Sequence, residues 1–165
     1  MRSVFGLCAA LLFGGPAFAA SAPFSDANLG FSATFPAAPA REDTSEDGVP
    51  TTSLEVMANG DYFAVSVTWF GDALAGSATQ DLLKATVDEV VEDAEAEVVS
   101  NTEITIDGVP ARDLVATTET SDGPARVHSK VALKDGTLYH AIAVDGGERN
   151  EAEVRAFLDS FRIKR

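Results

Sequence analysis

The sequence predicts an α+β fold: an antiparallel β-sheet of about six or seven strands with helices packed on its faces. Three observations lead there. Alternating apolar segments are joined at Asn59-Gly60, Asp107-Gly108 and Asp135-Gly136, and an Asx-Gly dipeptide between such segments is the strongest short-range signal for a hairpin closed by a type I′ turn. Two further stretches switch to helical periodicity. Finally, the order strands, helix, strands, helix contains no βαβ repetition, so the sheet is antiparallel rather than parallel.

At the N-terminus, Arg2 precedes an apolar run over residues 4–13, and Ala17-Phe18-Ala19 follows. That is the pattern of a signal peptide cleaved after Ala19. The run is too short for the roughly 20 apolar residues of a bilayer-spanning helix, so no transmembrane segment is expected after cleavage. The chain then divides into a leader, residues 1–19, and a single domain, residues 20–165. Cys8 is the only cysteine and lies within the leader. Leu7 precedes it where a lipidation site carries a small residue, so no lipid anchor is expected. The mature chain has no thiol and draws its stability from its core. Its expected location is periplasmic or secreted.

Residues 20–28 read as a polar lead-in, and Phe31-Ser-Ala-Thr-Phe35 as a strand opened by Gly30. Residues 36–50, rich in proline and acids, read as a solvated loop. Pairing across Asn59-Gly60 sets Val56 beside Phe63 and Leu54 beside Val65, on an apolar face that continues to Trp69. Pairing across Asp107-Gly108 sets Ile104 opposite Ala111 and Glu103 opposite Arg112. Across Asp135-Gly136, Val131, Leu133, Leu138, Ile142 and Val144 share one face, and Arg126, His128, Lys130 and Tyr139 share the other. The helices are expected over about 78–97 and 151–161. Ser77-Ala-Thr-Gln80 and Asn150-Glu-Ala-Glu153 fit capping boxes. One apolar stripe runs Leu83, Val87, Val90, Val91, Ala94, Val98; the other runs Val154, Phe157, Leu158, Phe161. Phe63, Trp69, Phe157 and Phe161 are expected to be buried.

Four segments in this order carry a resemblance: Phe31-Ser-Ala-Thr-Phe35-Pro36, Asp107-Gly108-Val109-Pro110-Ala111-Arg112, Gly136-Thr-Leu-Tyr139, and Phe157-Leu158-Asp-Ser160-Phe161-Arg162-Ile163. Together they span nearly the whole mature chain. The chain resembles the small secreted bacterial proteins related to PsbP, the extrinsic photosystem II subunit. The resemblance implies an α/β/α sandwich around an antiparallel sheet and a mostly non-enzymatic role in assembly or binding. None of the shared segments is a site motif, so it assigns no functional residue.

Acidic residues outnumber basic ones 26 to 12, for a net charge of −14. That sign disfavours nucleic-acid binding, which requires Lys and Arg to neutralise phosphates. The excess is uneven. Residues 20–107 hold 17 acids and two basic groups, Arg41 and Lys84, whereas residues 108–165 hold nine of each. There is no Gly-x-Ser-x-Gly, His-Glu-x-x-His, P-loop, Gly-x-Gly-x-x-Gly or calcium-loop pattern, so no cofactor and no metal are expected.

Two weak site candidates remain. Arg126, His128 and Lys130 alternate along one strand, with Tyr139 as aromatic neighbour; they form either a small anion-binding patch or a solvated sheet face. Asp88, Glu92 and Glu95 stack at i, i+4, i+7 with no cation beside them; they form either a docking surface for a basic partner or a solvated helix face. His140 sits among Leu138, Ile142 and Val144 and reads as a satisfied, partly buried histidine on the face opposite His128. The resulting expectation is an exported, soluble, non-enzymatic binding or assembly protein of the cell envelope. Its partner is an unknown protein or small ligand, and its oligomeric state is open. The alternative is a small periplasmic hydrolase-like enzyme using His128.

Overall fold

The computed structural model describes residues 21–74, 78–121, 123–146 and 151–164. The leader expected at residues 1–19 lies outside the described residues, as do Ser77 and Asn150 of the two capping boxes. The chain runs β1 (Ala22–Asp26), β2 (Phe31–Phe35), β3 (Ala40–Glu46), β4 (Val49–Ala58), β5 (Asp61–Trp69), α1 (Thr79–Asp93), β6 (Glu97–Ile106), β7 (Val109–Thr120), β8 (Gly123–Lys134), β9 (Thr137–Asp145), α2 (Glu151–Ser160) and β10 (Arg162–Ile163). Seven strands form one antiparallel sheet in the order β3-β4-β5-β9-β8-β7-β6, and β1-β2-β10 form a second, smaller one.

The three expected hairpins are present, with Val56 opposite Phe63, Leu54 opposite Val65, Ile104 opposite Ala111 and Glu103 opposite Arg112. Both central residues of each turn have positive φ, as at Asn59 (54°) and Gly60 (85°), which is what a type I′ turn demands. Asp47 (50°) and Gly48 (81°) form a fourth turn of the same kind. That turn corrects the reading of residues 36–50 as a loop: β3 pairs with β4 from Ala40↔Glu55 to Glu46↔Val49. Every residue of β3 is exposed, and its charged sequence suits a sheet edge that must not recruit another strand. The polar lead-in likewise holds a strand, Ala22–Asp26, paired with β2, where Phe24 stacks on Phe31 with ring centroids 5.4 Å apart.

α2 and the small sheet cover one face of the large sheet, and α1 covers part of the other. Under α2, Phe31, Phe35, Phe63, Phe157 and Phe161 are fully buried. Phe157 meets Phe35 at 5.1 Å and Phe63 at 5.4 Å between ring centroids, the tilted and edge-on geometries aromatic pairs prefer. Under α1, Leu83 and Val87 pack on Leu114, Ala116, Val127 and Val131.

Two expectations need correction. Trp69 is on the predicted face but is 58% exposed, because it ends β5 beyond the phenylalanine cluster. α1 stops at Asp93, not near residue 97. The N–H of Ala96 donates to the Val91 carbonyl (2.9 Å) and that of Glu95 to Glu92 (3.0 Å), a Schellman closure with Glu95 in the left-handed region at φ 47°. Glu97 and Val98 therefore belong to β6. At the other end Ala78 occupies the N-cap position and no side chain caps the helix.

Candidate functional site

The basic stripe on β8 has the geometry expected for one face, since β8 and β9 pair from Arg126↔Asp145 to Lys134↔Thr137. That face is the one beneath α2. Lys130 is 15% exposed on its side chain; its Nζ donates to the Leu158 carbonyl (3.1 Å) and to Asp159 Oδ1 (3.2 Å). It thus serves the last turn of α2, where carbonyls lack partners and the helix dipole favours a cation. Burial lowers the His128 pKa, Arg126 lowers it further, and Asp145, Asp113 and Glu151 oppose the shift. Tyr139 is buried, which raises its phenol pKa; its oxygen lies 2.8 Å from where a Cβ on Gly30 would stand, so only glycine fits there. The stripe is brought together, interleaved with carboxylates of this chain.

His140 lies on the opposite face, with Nε2 hydrogen-bonded to Ser129 Oγ at 2.8 Å. Desolvation pushes its pKa down to about 4, so it is neutral at neutral pH. Ser129 is fully buried; its hydroxyl satisfies the histidine and is not presented to solvent.

The acids of α1 are divided by helical phase. Asp88 pairs with Lys84 Nζ at 2.5 Å, which corrects the reading that no cation stands beside Asp88, Glu92 and Glu95; Glu95 lies beyond the helix end. Glu89 and Asp93 project the other way, into a cleft of about 570 Å³ between α1 and the β3–β4–β5 part of the sheet. Glu46 and Asp47 form its opposite wall, and Thr51, Ser66, Thr68 and His140 its floor. Thr51 and Thr68 share a hydrogen bond of 2.9 Å. The sequence reading missed these wall residues. Asp47-Gly48 was the available signal, because a turn there extends the sheet past α1.

The model of the PsbP-like protein family matches residues 24–163. The chain belongs to this family. The solution structure of cyanobacterial PsbP (CyanoP) from Synechocystis superposes with a TM-score of 0.62 at 16% identity, covering 91% of this chain and 96% of that one. A crystal structure from Bacteroides thetaiotaomicron follows with a TM-score of 0.50 and 9% identity, over 82% of this chain and 46% of the other. At these identities the likeness speaks to the fold. No curated protein matches the chain. Among the described residues, no cluster of three or more His, Cys, Asp or Glu is placed to hold a metal ion. No helix among them is long and apolar enough to cross a membrane.

Proposed function

We propose that this PsbP-like chain is an exported, soluble, non-enzymatic binding or assembly protein of the cell envelope, working as residues 20–165 after loss of its leader. The observation that carries the reading is the carboxylate-walled cleft beside α1, a surface suited to recognition rather than to bond breaking. The serine hydrogen-bonded to His140 at the cleft floor, Ser129, has its hydroxyl buried in the sheet. His128, on which the hydrolase alternative depends, sits in the field of Arg126, Asp145, Asp113 and Glu151. The charge balance supports a protein partner over nucleic acid.

Crosslinking in intact cells followed by mass spectrometry tests the reading. The expected result is a recurrent envelope protein joined to this chain; its absence under conditions that capture known envelope complexes overturns the assembly role. The mature protein is expected to begin at Ala20 and to be released by osmotic shock. An intact Met1 on protein from a membrane pellet overturns export.

A further inference from the structure

We propose that the cleft between α1 and β3–β5 docks a lysine- or arginine-rich segment of a partner protein. This deepens the binding-protein reading and rests on it.

Strands about 4.8 Å apart make the seven-stranded sheet about 29 Å wide from first axis to last, while a helix with its side chains spans about 10–12 Å. α1 lies on β7 and β8, so it leaves the same face of β3, β4 and β5 without a layer above it. The opposite face of β4 and β5 is sealed, with Leu54, Phe63 and Val65 all buried. The uncovered strip is not simply a solvated surface. Met57 lies on it at 64% exposure. Beside it is Tyr62, whose phenol burial pushes up to about 12, helped by the adjoining Glu55 carboxylate.

Charge selects the occupant. The strip is framed by Glu42 and Glu46 on β3, Asp47 in the turn, and Glu89 and Asp93 on α1. Among the described residues, none of these five pairs with a Lys or Arg. Arg41 is directed to the other side, pairing with Asp26 at 3.6 Å and Asp43 at 3.0 Å. Lys84 is held by Asp88 on the outer flank of α1. Among the described residues, these carboxylates therefore have no cation. They repel anionic lipid and nucleic acid. A second copy docked through a twofold contact would set the same carboxylates against one another. A cationic protein segment satisfies the walls and covers the exposed Met57 together.

The test uses a decalysine peptide as probe, with decaglutamate as control, at about 50 mM salt, where the Debye length exceeds 10 Å. Amide shifts in the isotope-labelled mature protein are expected to cluster at Thr51, Ser66, Thr68, Leu138 and His140. The double variant Glu89→Lys/Asp93→Lys is expected to weaken binding about tenfold or more. Asp88→Lys/Glu92→Lys makes the same net charge change on the outer flank and is expected to weaken it about twofold at most. All four positions are exposed, and the spectra of both variants report whether they fold. Equal weakening by the two variants, shifts spread over every acidic surface, no binding, or a dimer that occupies the strip each overturns the groove. A photoreactive residue replacing Ser66, compared with one replacing Arg155 on α2, separates the two levels of the proposal in cells. Capture of one partner from Ser66, lost with Glu89→Lys/Asp93→Lys, supports the groove. Capture only from Arg155 overturns the groove and leaves the binding reading standing. Capture from neither overturns both.

Discussion

On one face of the large sheet, α2 buries Val154, Phe157 and Leu158 into a cluster of phenylalanines and is held at its C-terminus by Lys130. On the other, α1 buries only Leu83 and Val87, against aliphatic residues, and half the face stays open. The difference is one of assignment within a single sheet. Aromatic rings that interlock in three layers leave no room for a partner, so stability concentrates under α2. A helix anchored by two side chains leaves its flanks free for recognition. The two faces also hold opposite kinds of ionisable group, one half-buried and one buried. His140 lies toward α1. Asp61 lies toward α2, fully buried, with one carboxylate oxygen accepting from the Gly146 N–H at 2.9 Å and the other without a partner among the described residues.

The comparison is broken most directly by truncating the two anchors. Phe157→Ala is expected to cost about 3–5 kcal/mol and Leu83→Ala about 2 kcal/mol, the lower end for a buried leucine whose surroundings can relax. Denaturant midpoints measure both. Equal losses would mean that the α1 face is packed as tightly as the other.

Acid titrates the two faces in opposite directions. His140 is depressed from 6.5 to about 4 by burial, so between those values the unfolded chain binds a proton that the native state refuses. Stability is therefore lost as pH falls through that window, by at most about 3.5 kcal/mol at about 1.4 kcal/mol per pH unit. His140→Gln is expected to flatten this limb of the stability–pH curve. Asp61 is raised, chiefly by burial, with Asp145 and Glu153 adding to the shift and the Gly146 N–H opposing it. Its native state binds a proton more readily than the unfolded chain, so Asp61 costs stability at neutral pH and the cost is relieved on acidification. Asp61→Asn, which keeps an acceptor for Gly146, is expected to raise the thermal midpoint at pH 7, with the gain shrinking in acid.

Smaller effects refine the α1 side. Glu95 holds a left-handed conformation at φ 47°, and its carboxylate stands where the helix dipole disfavours negative charge. Glu95→Gly is expected to stabilise by about 0.5–1 kcal/mol, measured by chemical denaturation; a loss would show that the side chain is held by a favourable contact. Trp69→Ala is expected to change stability by less than about 0.5 kcal/mol, the range for exposed positions. A loss of several kcal/mol would return Trp69 to the core.

The turns and registers were legible because their information is local: two residues set the backbone, and alternation sets the face. Asp47-Gly48 carries the same signal, but the prolines and acids around it obscured the strands it joins. Trp69 shows the limit of alternation, which assigns a side and not the extent of the layer above it. The boundary of α1 was misread because a carboxylate, not glycine, sits at the left-handed closing position. Of the cleft, only the wall at Asp47-Gly48 had a signal in the sequence. The rest depends on where α1 lands across seven strands, and no local pattern in the helix specifies that. His140 was read correctly as satisfied, although its partner, Ser129, is supplied by the neighbouring strand.

The pairing of β10 with β2 has a consequence in time. Arg162 and Ile163 complete the small sheet against Ser32 and Phe31, Phe161 packs on Phe31 at 6.0 Å, and the Ile163 N–H donates to Asp107. Residues 160–163 thus finish a structure begun at residues 31–34, and the Ser160 hydroxyl accepts from the Thr34 N–H across 126 positions. Closing so long a loop comes late, because its entropy must be overcome before its contacts form. Without Phe157, Phe161 and Ile163, the buried Phe31 and Phe35 lose their cover. The phenylalanine cluster therefore shuts only once this distant segment is in place.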